Sequence, residues 1–301
     1  MLLSSSSSAP LTPISTLSHS QFPKPSRIQM IRAATAYRES VDSDIDAHLK
    51  KVVTIRPPFE VFQPMHQLVF STPINIASAL CVAACEVVGG HRSNALSAAA
   101  ALHLMHVATS AHENLLMGNN KVHHKYPFGP NIELLTGDGV VPLGFELLAG
   151  QKCIGESSDD DFTGRVVRVI VEITRAVGSR GVVDGQFRKY ASNHSKHDLL
   201  CHERQLIELK LRGKRSEFYA CGAACGAILG GGGEEEIERL RRFGLYMGMI
   251  NQTVNEEEEE LYWRREKVME LRNLGLKELE DFDEGKIEFV SSVVDSLFAW
   301  L

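Results

Sequence analysis

The chain has 301 residues, is 44% hydrophobic, and carries a formal net charge of −6. That length and apolar content allow a sizeable core and exclude disorder throughout, while an acidic balance with no basic stripe interleaved with aromatics excludes a phosphate-backbone binder, so no nucleic acid partner is predicted. Apolar stretches such as 76–88 are broken by Ser78 and Glu86 and fall short of the roughly 20 residues a bilayer crossing needs, so no membrane span is predicted.

Residues 1–38 differ from everything after them. They hold the serine run 4–8, further hydroxyls at Thr12, Ser15, Thr16, Ser18, Ser20 and Ser26, and basic Lys24, Arg27, Arg32 and Arg38, with no acidic residue before Glu39. This composition reads as an organelle transit peptide, cleaved between about Met30 and Glu39, with plastid import and a stromal location as the expectation. A secretory signal is disfavoured because no basic start and no apolar core of 7–15 residues is present; a plain Ser-rich tail is the bland alternative. Residues 39–301 are read as one helical domain, with helical periodicity from Val41 onward and no convincing alternating strand.

Along that domain, the Ala-rich segments 77–88 and 95–111 have few large side chains on any face, which predicts buried helices at close approach. Val166, Ile170, Ile173 and Val177 recur at i, i+4, i+7 and i+11 opposite Arg165, Arg168, Glu172 and Arg175, which predicts an amphipathic helix closed by Gly178 in the left-handed region. Ile287, Val290, Val294, Leu297, Phe298 and Leu301 predict a docked C-terminal helix. Breaks fall at Pro57-Pro58, 126–131, 150–161, the glycines 230–233 and the glutamates 256–260. No Gly-Lys-Ser/Thr follows the four glycines and an acidic run does, so a flexible helix–helix turn is preferred to a phosphate cradle; the five glutamates read as a solvated face.

Several stretches, in order and at matching spacing, carry a family resemblance: Leu80-Cys81-Val82-Ala83-Ala84-Cys85-Glu86, Leu102-His103-Leu104-Met105-His106, Leu135-Thr136-Gly137-Asp138-Gly139, Gly178-Ser179-Arg180-Gly181 with Gly185-Gln186, and Cys225-Gly226-Ala227-Ile228-Leu229-Gly230-Gly231. Spanning roughly 61–255, they resemble the geranylgeranyl diphosphate synthase branch of the trans-prenyltransferases. The resemblance implies an all-α, isoprenoid-synthase-type helical bundle around a central cavity, and a dimer. In working members of that family two aspartate clusters on facing helices hold Mg²⁺, which grips the allylic diphosphate; the metal needs hard carboxylate oxygens, and aspartates at i and i+4 share one helix face.

Both clusters are degenerate here. The first reads His112-Glu113-Asn114, followed by residues 115–120, with one carboxylate where several belong. The second falls on Asn251, Gln252 and Asn255, three neutral amides. Amides supply no formal charge against the cation, so most of the attraction for a metal diphosphate is lost. The basic clamp is depleted too: Thr72-Pro73-Ile74-Asn75-Ile76-Ala77-Ser78 stands where the family carries Gly-Gly-Lys-Arg-x-Arg-Pro, and His123, His124 and Lys125 stand where Arg-Arg belongs. His106 and Lys214 match family positions that contact diphosphate; without their companions, a structural role for His106 and a solvated one for Lys214 are preferred. His123 and His124 are adjacent and point to different sides, so they read as loop rather than as a metal pair.

Six cysteines in a chain this long do not make a disulfide scaffold, and reduced thiols are expected. Cys81-x-x-x-Cys85 and Cys221-x-x-x-Cys225 each put two thiols one turn apart on one helix face. They read as small buried hydrophobes or, less well, as a four-thiolate zinc site; bridging within a pair conflicts with helix geometry. The resemblance adds a third reading, because paired Cys-x-x-x-Cys motifs mark small subunits of this family and are associated there with binding a catalytic large subunit. It implies a non-catalytic regulatory subunit that binds a geranylgeranyl diphosphate synthase large subunit, with no cofactor of its own and Mg²⁺ on the partner, biasing output toward C10 geranyl diphosphate. Two alternatives stay open: an active prenyltransferase using Glu113 and amides as weak ligands, and a prenyl diphosphate-binding or metal-thiolate protein without a synthase partner.

Overall fold

Small residues at helical spacing decide this architecture, because they set how closely two helix backbones approach. The structure, a computed structural model, describes residues 27–116, 127–152, 159–179, 181–183, 214–255, 261–283, 285–287 and 290, and no strand occurs among them. In chain order the helices are α1 (Arg27–Val52), α2 (Phe59–Ser71), α3 (Ile76–Val87), α4 (Ser93–Leu116), α5 (Pro130–Ala149), α6 (Asp159–Val177), α7 (Lys214–Gly230), α8 (Glu234–Asn255) and α9 (Leu261–Glu278). Helix α7 lies at the centre, against α3, α8, α6 and α4; α5 packs on α4, α9 on α8, α2 on α5, and α1 on α4. This is the predicted all-α bundle.

The α3–α7 contact is made backbone on backbone. Gly222, Gly226 and Gly230 recur every four residues along one face of α7, and Ala77, Cys81 and Cys85 do the same on α3. A Cβ added at Gly222 would lie 2.3 Å from the Ala77 carbonyl oxygen, at Gly226 1.9 Å from that of Cys81, and at Gly230 2.7 Å from that of Cys85. Three successive turns therefore meet in register. On the adjoining side of α7 the glycines belong to α8: a Cβ at Gly244 would lie 2.6 Å from the Tyr219 carbonyl oxygen, and one at Gly248 2.4 Å from Ser216 Cα. Both helices end in the same closing turn, in which Gly90 N–H donates to the Cys85 carbonyl at 2.8 Å and Gly232 N–H to that of Ala227 at 2.9 Å. The residue before each, Gly89 or Gly231, takes the positive φ such a turn requires, at 90° and 84°. The turn predicted as flexible at 230–233 is thus a hydrogen-bonded helix terminator.

Around this centre the Ala-rich segments of α3 and α4 are buried as predicted, with Ala77, Ala79, Ala83, Ala95, Ala98 and Ala101 inaccessible. Helix α1 docks through Val41, Ile45, Leu49 and Val53, an i, i+4 stripe that is wholly buried. Its first half is tied to the α3–α4 turn: Tyr37 Oη donates to Glu86 at 2.5 Å, and the Arg92 guanidinium donates to Glu86 at 2.9 Å and Asp44 at 2.8 Å while lying 5.3 Å from the centre of the Tyr37 ring. Burial, and then the Glu86 carboxylate, push the Tyr37 phenol far above its usual range, so it stays a neutral donor.

Three expectations are corrected or narrowed. Helix α1 begins at Arg27, not near Val41. Residues 27–38 contain no glycine or proline, and their alanines, arginines and long side chains favour a helix whatever else the composition signals. Helix α6 covers the predicted stripe and buries Val166, Ile173 and also Val169, but Gly178 does not adopt positive φ. Its N–H continues the helix to the Thr174 carbonyl at 3.0 Å, and a Cβ there would lie 2.6 Å from that oxygen, so close approach rather than handedness calls for glycine. Of the C-terminal helix, Ile287 and a fully buried Val290 are described. Val294, Leu297, Phe298, Leu301 and the glutamates 256–260 lie outside the described residues.

Gly226→Ala is expected to destabilise the fold by about 3 kcal/mol or more, since neither backbone has room to move, whereas Gly164→Ala on the open face of α6, where nothing lies within 4 Å, should be neutral or stabilising by up to about 1 kcal/mol. Urea unfolding of both variants decides this; equal stability would show the seam to be loose. A second expectation concerns His103, which is buried on α4. Burial lowers its pKa from the usual 6.5 to about 4. Because the folded pKa is the lower, the unfolded chain takes up the proton first as pH falls, so stability present above pH 6.5 is lost toward pH 4. The loss is on the order of 3 kcal/mol. Thermal unfolding across that range should show a fall that His103→Gln, once folded, flattens.

Candidate functional site

The residues that stand for the two aspartate clusters lie at the C-terminal ends of α4 and α8, both of which contact α7. On α4, His106 is half-buried one and a half turns before His112, Glu113 is half-buried, and Asn114 is exposed. His112 Nε2 lies 3.1 Å from Asp138 Oδ1 on α5, close enough for an ion pair once the imidazole is protonated. Gly137 makes that approach possible, since a Cβ there would stand 3.1 Å from His112 Nε2. On α8, Asn251 and Gln252 are half-buried, and between them and Asn255 the buried Thr253 hydroxyl donates to the Met249 carbonyl at 2.9 Å, turning back on its own helix. Asn255 ends α8 and Lys214 begins α7; their side chains, with residues 117–126 and the histidines 123 and 124 among them, lie outside the described residues.

This donor set does not fit the paired Mg²⁺ sites of the fold. The end of α4 carries one half-buried carboxylate and the end of α8 carries neutral amides, and no group of three or more His, Cys, Asp or Glu side chains among the described residues is placed to hold a metal ion. A hard cation bound to a diphosphate draws its affinity from anionic oxygens in near-octahedral array, and amide oxygens alone leave most of that attraction unmade.

The four cysteines are brought together in the α3–α7 seam and are buried there. Cys221 Sγ and Cys225 Sγ are 3.8 Å apart, and Cys85 Sγ is 3.5 Å from the His91 carbonyl oxygen. Burial pushes the Cys81 thiol far up and the Cys85 thiol up to about 12; the hydrogen bond shared with Cys221, and then burial, raise Cys225. Cys81, Cys85 and Cys225 are therefore protonated at neutral pH and behave as small apolar groups. The expectation that Cys81, Cys85, Cys221 and Cys225 contact a partner is narrowed accordingly, because the sulfurs face the interior of their own chain. Any influence on a partner must pass through the shape of the seam.

Two features escaped the sequence reading. The glycines Gly222, Gly226 and Gly230, which receive the Cys81 and Cys85 helix, share the spacing of the cysteines and were legible from it. The other is a set of exposed apolar side chains on the contacting helices α5 and α6, with Ile132, Leu134 and Leu135 on α5 and Val167 and Val171 on α6; Leu135 is 64% exposed and Val167 56%. Val167 and Val171 are one turn apart on the side of α6 opposite Val166, Val169 and Ile173. The predicted polar side of α6 is thus only partly polar, and two of its charged residues pair with α8: Arg168 donates to Glu234 at 2.5 and 2.7 Å, and Glu172 accepts from Arg241 at 2.8 and 3.1 Å.

No family model matches the chain. It is 46% identical over 268 residues, covering 86% of this chain and 91% of the relative, to heterodimeric geranylgeranyl pyrophosphate synthase small subunit 2, chloroplastic, of Cannabis sativa. Among solved structures, it is 45% identical to the geranyl diphosphate synthase small subunit from Antirrhinum majus, with a TM-score of 0.73 over 87% of this chain and 98% of that one. It is also 45% identical to a chain of the mint heterotetrameric geranyl pyrophosphate synthase, with a TM-score of 0.74 over 86% and 99%. Identity of this order across nearly the whole length, on the same helical fold, means that the chain belongs to the family of plant heteromeric geranyl and geranylgeranyl pyrophosphate synthase small subunits.

Proposed function

We propose that this chain is a non-catalytic regulatory subunit that pairs with a geranylgeranyl diphosphate synthase large subunit in the plastid stroma and biases it toward geranyl diphosphate. The observation that carries the catalytic half of this reading is the donor set at the ends of α4 and α8, where Glu113 is the single carboxylate among Asn114, Asn251, Gln252 and Asn255. Mg²⁺ and the ionisation of the allylic diphosphate then belong to the partner. Support for the pairing half comes from the exposed apolar side chains of α5 and α6 and from relatives described as subunits of heteromeric synthases. In this reading Cys81, Cys85, Cys221 and Cys225 act by letting α3 and α7 close, which fixes α7 within the bundle, and His106 and Lys214 keep family positions without a metal diphosphate to bind.

The purified chain, given dimethylallyl and isopentenyl diphosphate with Mg²⁺, is expected to show no prenyl transfer, and restoring aspartate at Asn251, Gln252 and Asn255 alone should not create it. Steady turnover by the wild-type chain would refute the catalytic half of the proposal. For the pairing half, Leu135→Arg combined with Val171→Arg should weaken association with a large subunit at least about ten-fold, because two charges would be carried into an apolar contact. Both sites are exposed in the free chain, so its melting temperature should hardly move. Undiminished pairing by that folded double variant would place the interface elsewhere.

Relatives described as chloroplastic support plastid import, and the Tyr37–Glu86–Arg92 cluster bears on where a leader would end. Tyr37 and Arg38 both bond to the body of the fold, Arg38 donating to Asp42 and to the Ile74 carbonyl. The leader is therefore expected to be removed upstream of Tyr37. N-terminal sequencing of the plastid form checks this, and a mature start after Arg38 would contradict it.

A further inference from the structure

Every residue from 54 to 61 is exposed at the corner that joins α1 to α2. The chain enters this corner from Leu49 and Val53, both buried, and leaves it through Pro64, Met65, Leu68 and Val69, also buried. The two helices dock separately, α1 on α4 and α2 on α5, so the corner is held out from a fixed base. Its composition differs from that of an ordinary surface turn. Ile55, Phe59 and Val61 are 52%, 54% and 50% exposed, with Pro57 and Pro58 between the first two. Of the residues that usually serve turns only proline is present; glycine, asparagine, aspartate and serine do not occur from 54 to 61.

The charges at the same place are mostly basic. Lys50, Lys51 and Arg56 are exposed, and Glu60 is the single carboxylate from 50 to 61, in a chain whose net charge is −6. The guanidinium carbon of Arg56 lies 4.4 Å from the centre of the Phe62 ring, which keeps that charge beside the apolar side chains. Lys50 is bridged by Asp46 at 2.6 Å, a surface pair that contributes little and exchanges readily. Lys51 and Arg56 form no ion pair among the described residues.

From this arrangement we infer that the α1–α2 corner docks reversibly on an anionic lipid bilayer, with Ile55, Phe59 and Val61 in the boundary between headgroups and acyl chains and Lys51 and Arg56 among the headgroups. Exposed apolar side chains set among basic ones bind such a surface through two contributions, apolar burial and attraction to the lipid anions. The corner is too small for a stable protein contact, which engages about 20–30 residues a side. Helix α2 has 13 residues and buries Pro64, Met65, Leu68 and Val69 in the bundle, so the corner rests on the bilayer and does not cross it. The assignment uses none of the side chains given to the partner contact and does not depend on the regulatory role.

The test floats the full chain with phosphatidylcholine vesicles, with and without about one third phosphatidylglycerol. The anionic vesicles are expected to bind at least about ten-fold more protein, and added salt should release most of it. Lys51→Glu combined with Arg56→Glu should cut that binding about ten-fold or more, and Ile55→Ser combined with Phe59→Ser should cut it by a similar factor. All four positions are exposed, so the melting temperature should hardly move. The basic leader is common to every variant, so a loss on substitution belongs to the corner. In Phe59→Trp the added indole emission should shift to the blue on anionic vesicles. No binding, equal binding to neutral vesicles, binding unchanged in both double variants, or an unshifted indole would each overturn the assignment. Loss of pairing with a large subunit in the Lys51→Glu, Arg56→Glu variant, with vesicle binding intact, would overturn it too and give the corner to a protein.

Discussion

The contact of α3 with α7 at backbone distance is the constraint on which the remaining structure depends. Helices usually meet through interlocked side chains at 8–10 Å. Here three glycines on α7 abut three carbonyls on α3, and two glycines on α8 abut the adjoining side of α7. Close approach of this kind gains dispersion contacts along whole turns and leaves no room for a methyl group at the glycine positions. It also fixes the axial register, because each glycine stands against one particular carbonyl. The C-terminal end of α8 and the α4 helix that packs on α7 are positioned by that register. So is α6, whose outer face carries Val167 and Val171.

Seen from the seam, the two cysteine pairs and the two lost aspartate clusters belong to different layers of the protein. The cysteines lie inside, where burial keeps the Cys81 and Cys85 thiols protonated and makes small volume the property that matters. The former metal positions lie at helix ends and no longer carry the charge that a metal diphosphate requires. The fold has thus kept the part of the prenyltransferase architecture that determines shape. Neutral amides stand at Asn251, Gln252 and Asn255, while the helical frame is the one its relatives share.

Much of this was legible in the residues. The stripe Val166, Ile170, Ile173 announced α6, and alanine density announced the burial of α3 and α4, because period and side-chain volume act locally. The loss of the aspartates needed only their identities. What could not be read was orientation. A helix such as α7 is small and apolar on nearly every side, so its sequence looks the same whether the cysteines meet a partner or a neighbouring helix of the same chain. The start of α1 was missed for a related reason: residues 27–38 carry a leader-like composition and good helix propensity together, and only the contacts of Tyr37 and Arg38 show that their last turn belongs to the folded body.

The central claim is that this chain acts on the output of a partner rather than on a substrate of its own. The most direct test is the product distribution of a plastid geranylgeranyl diphosphate synthase with dimethylallyl and isopentenyl diphosphate, measured with and without an equimolar amount of this chain. The account predicts that the C10 share rises when the chain is present and falls back when the Leu135→Arg, Val171→Arg double variant replaces it. A product distribution that is the same with the wild-type chain, in a complex shown to have formed, would contradict it.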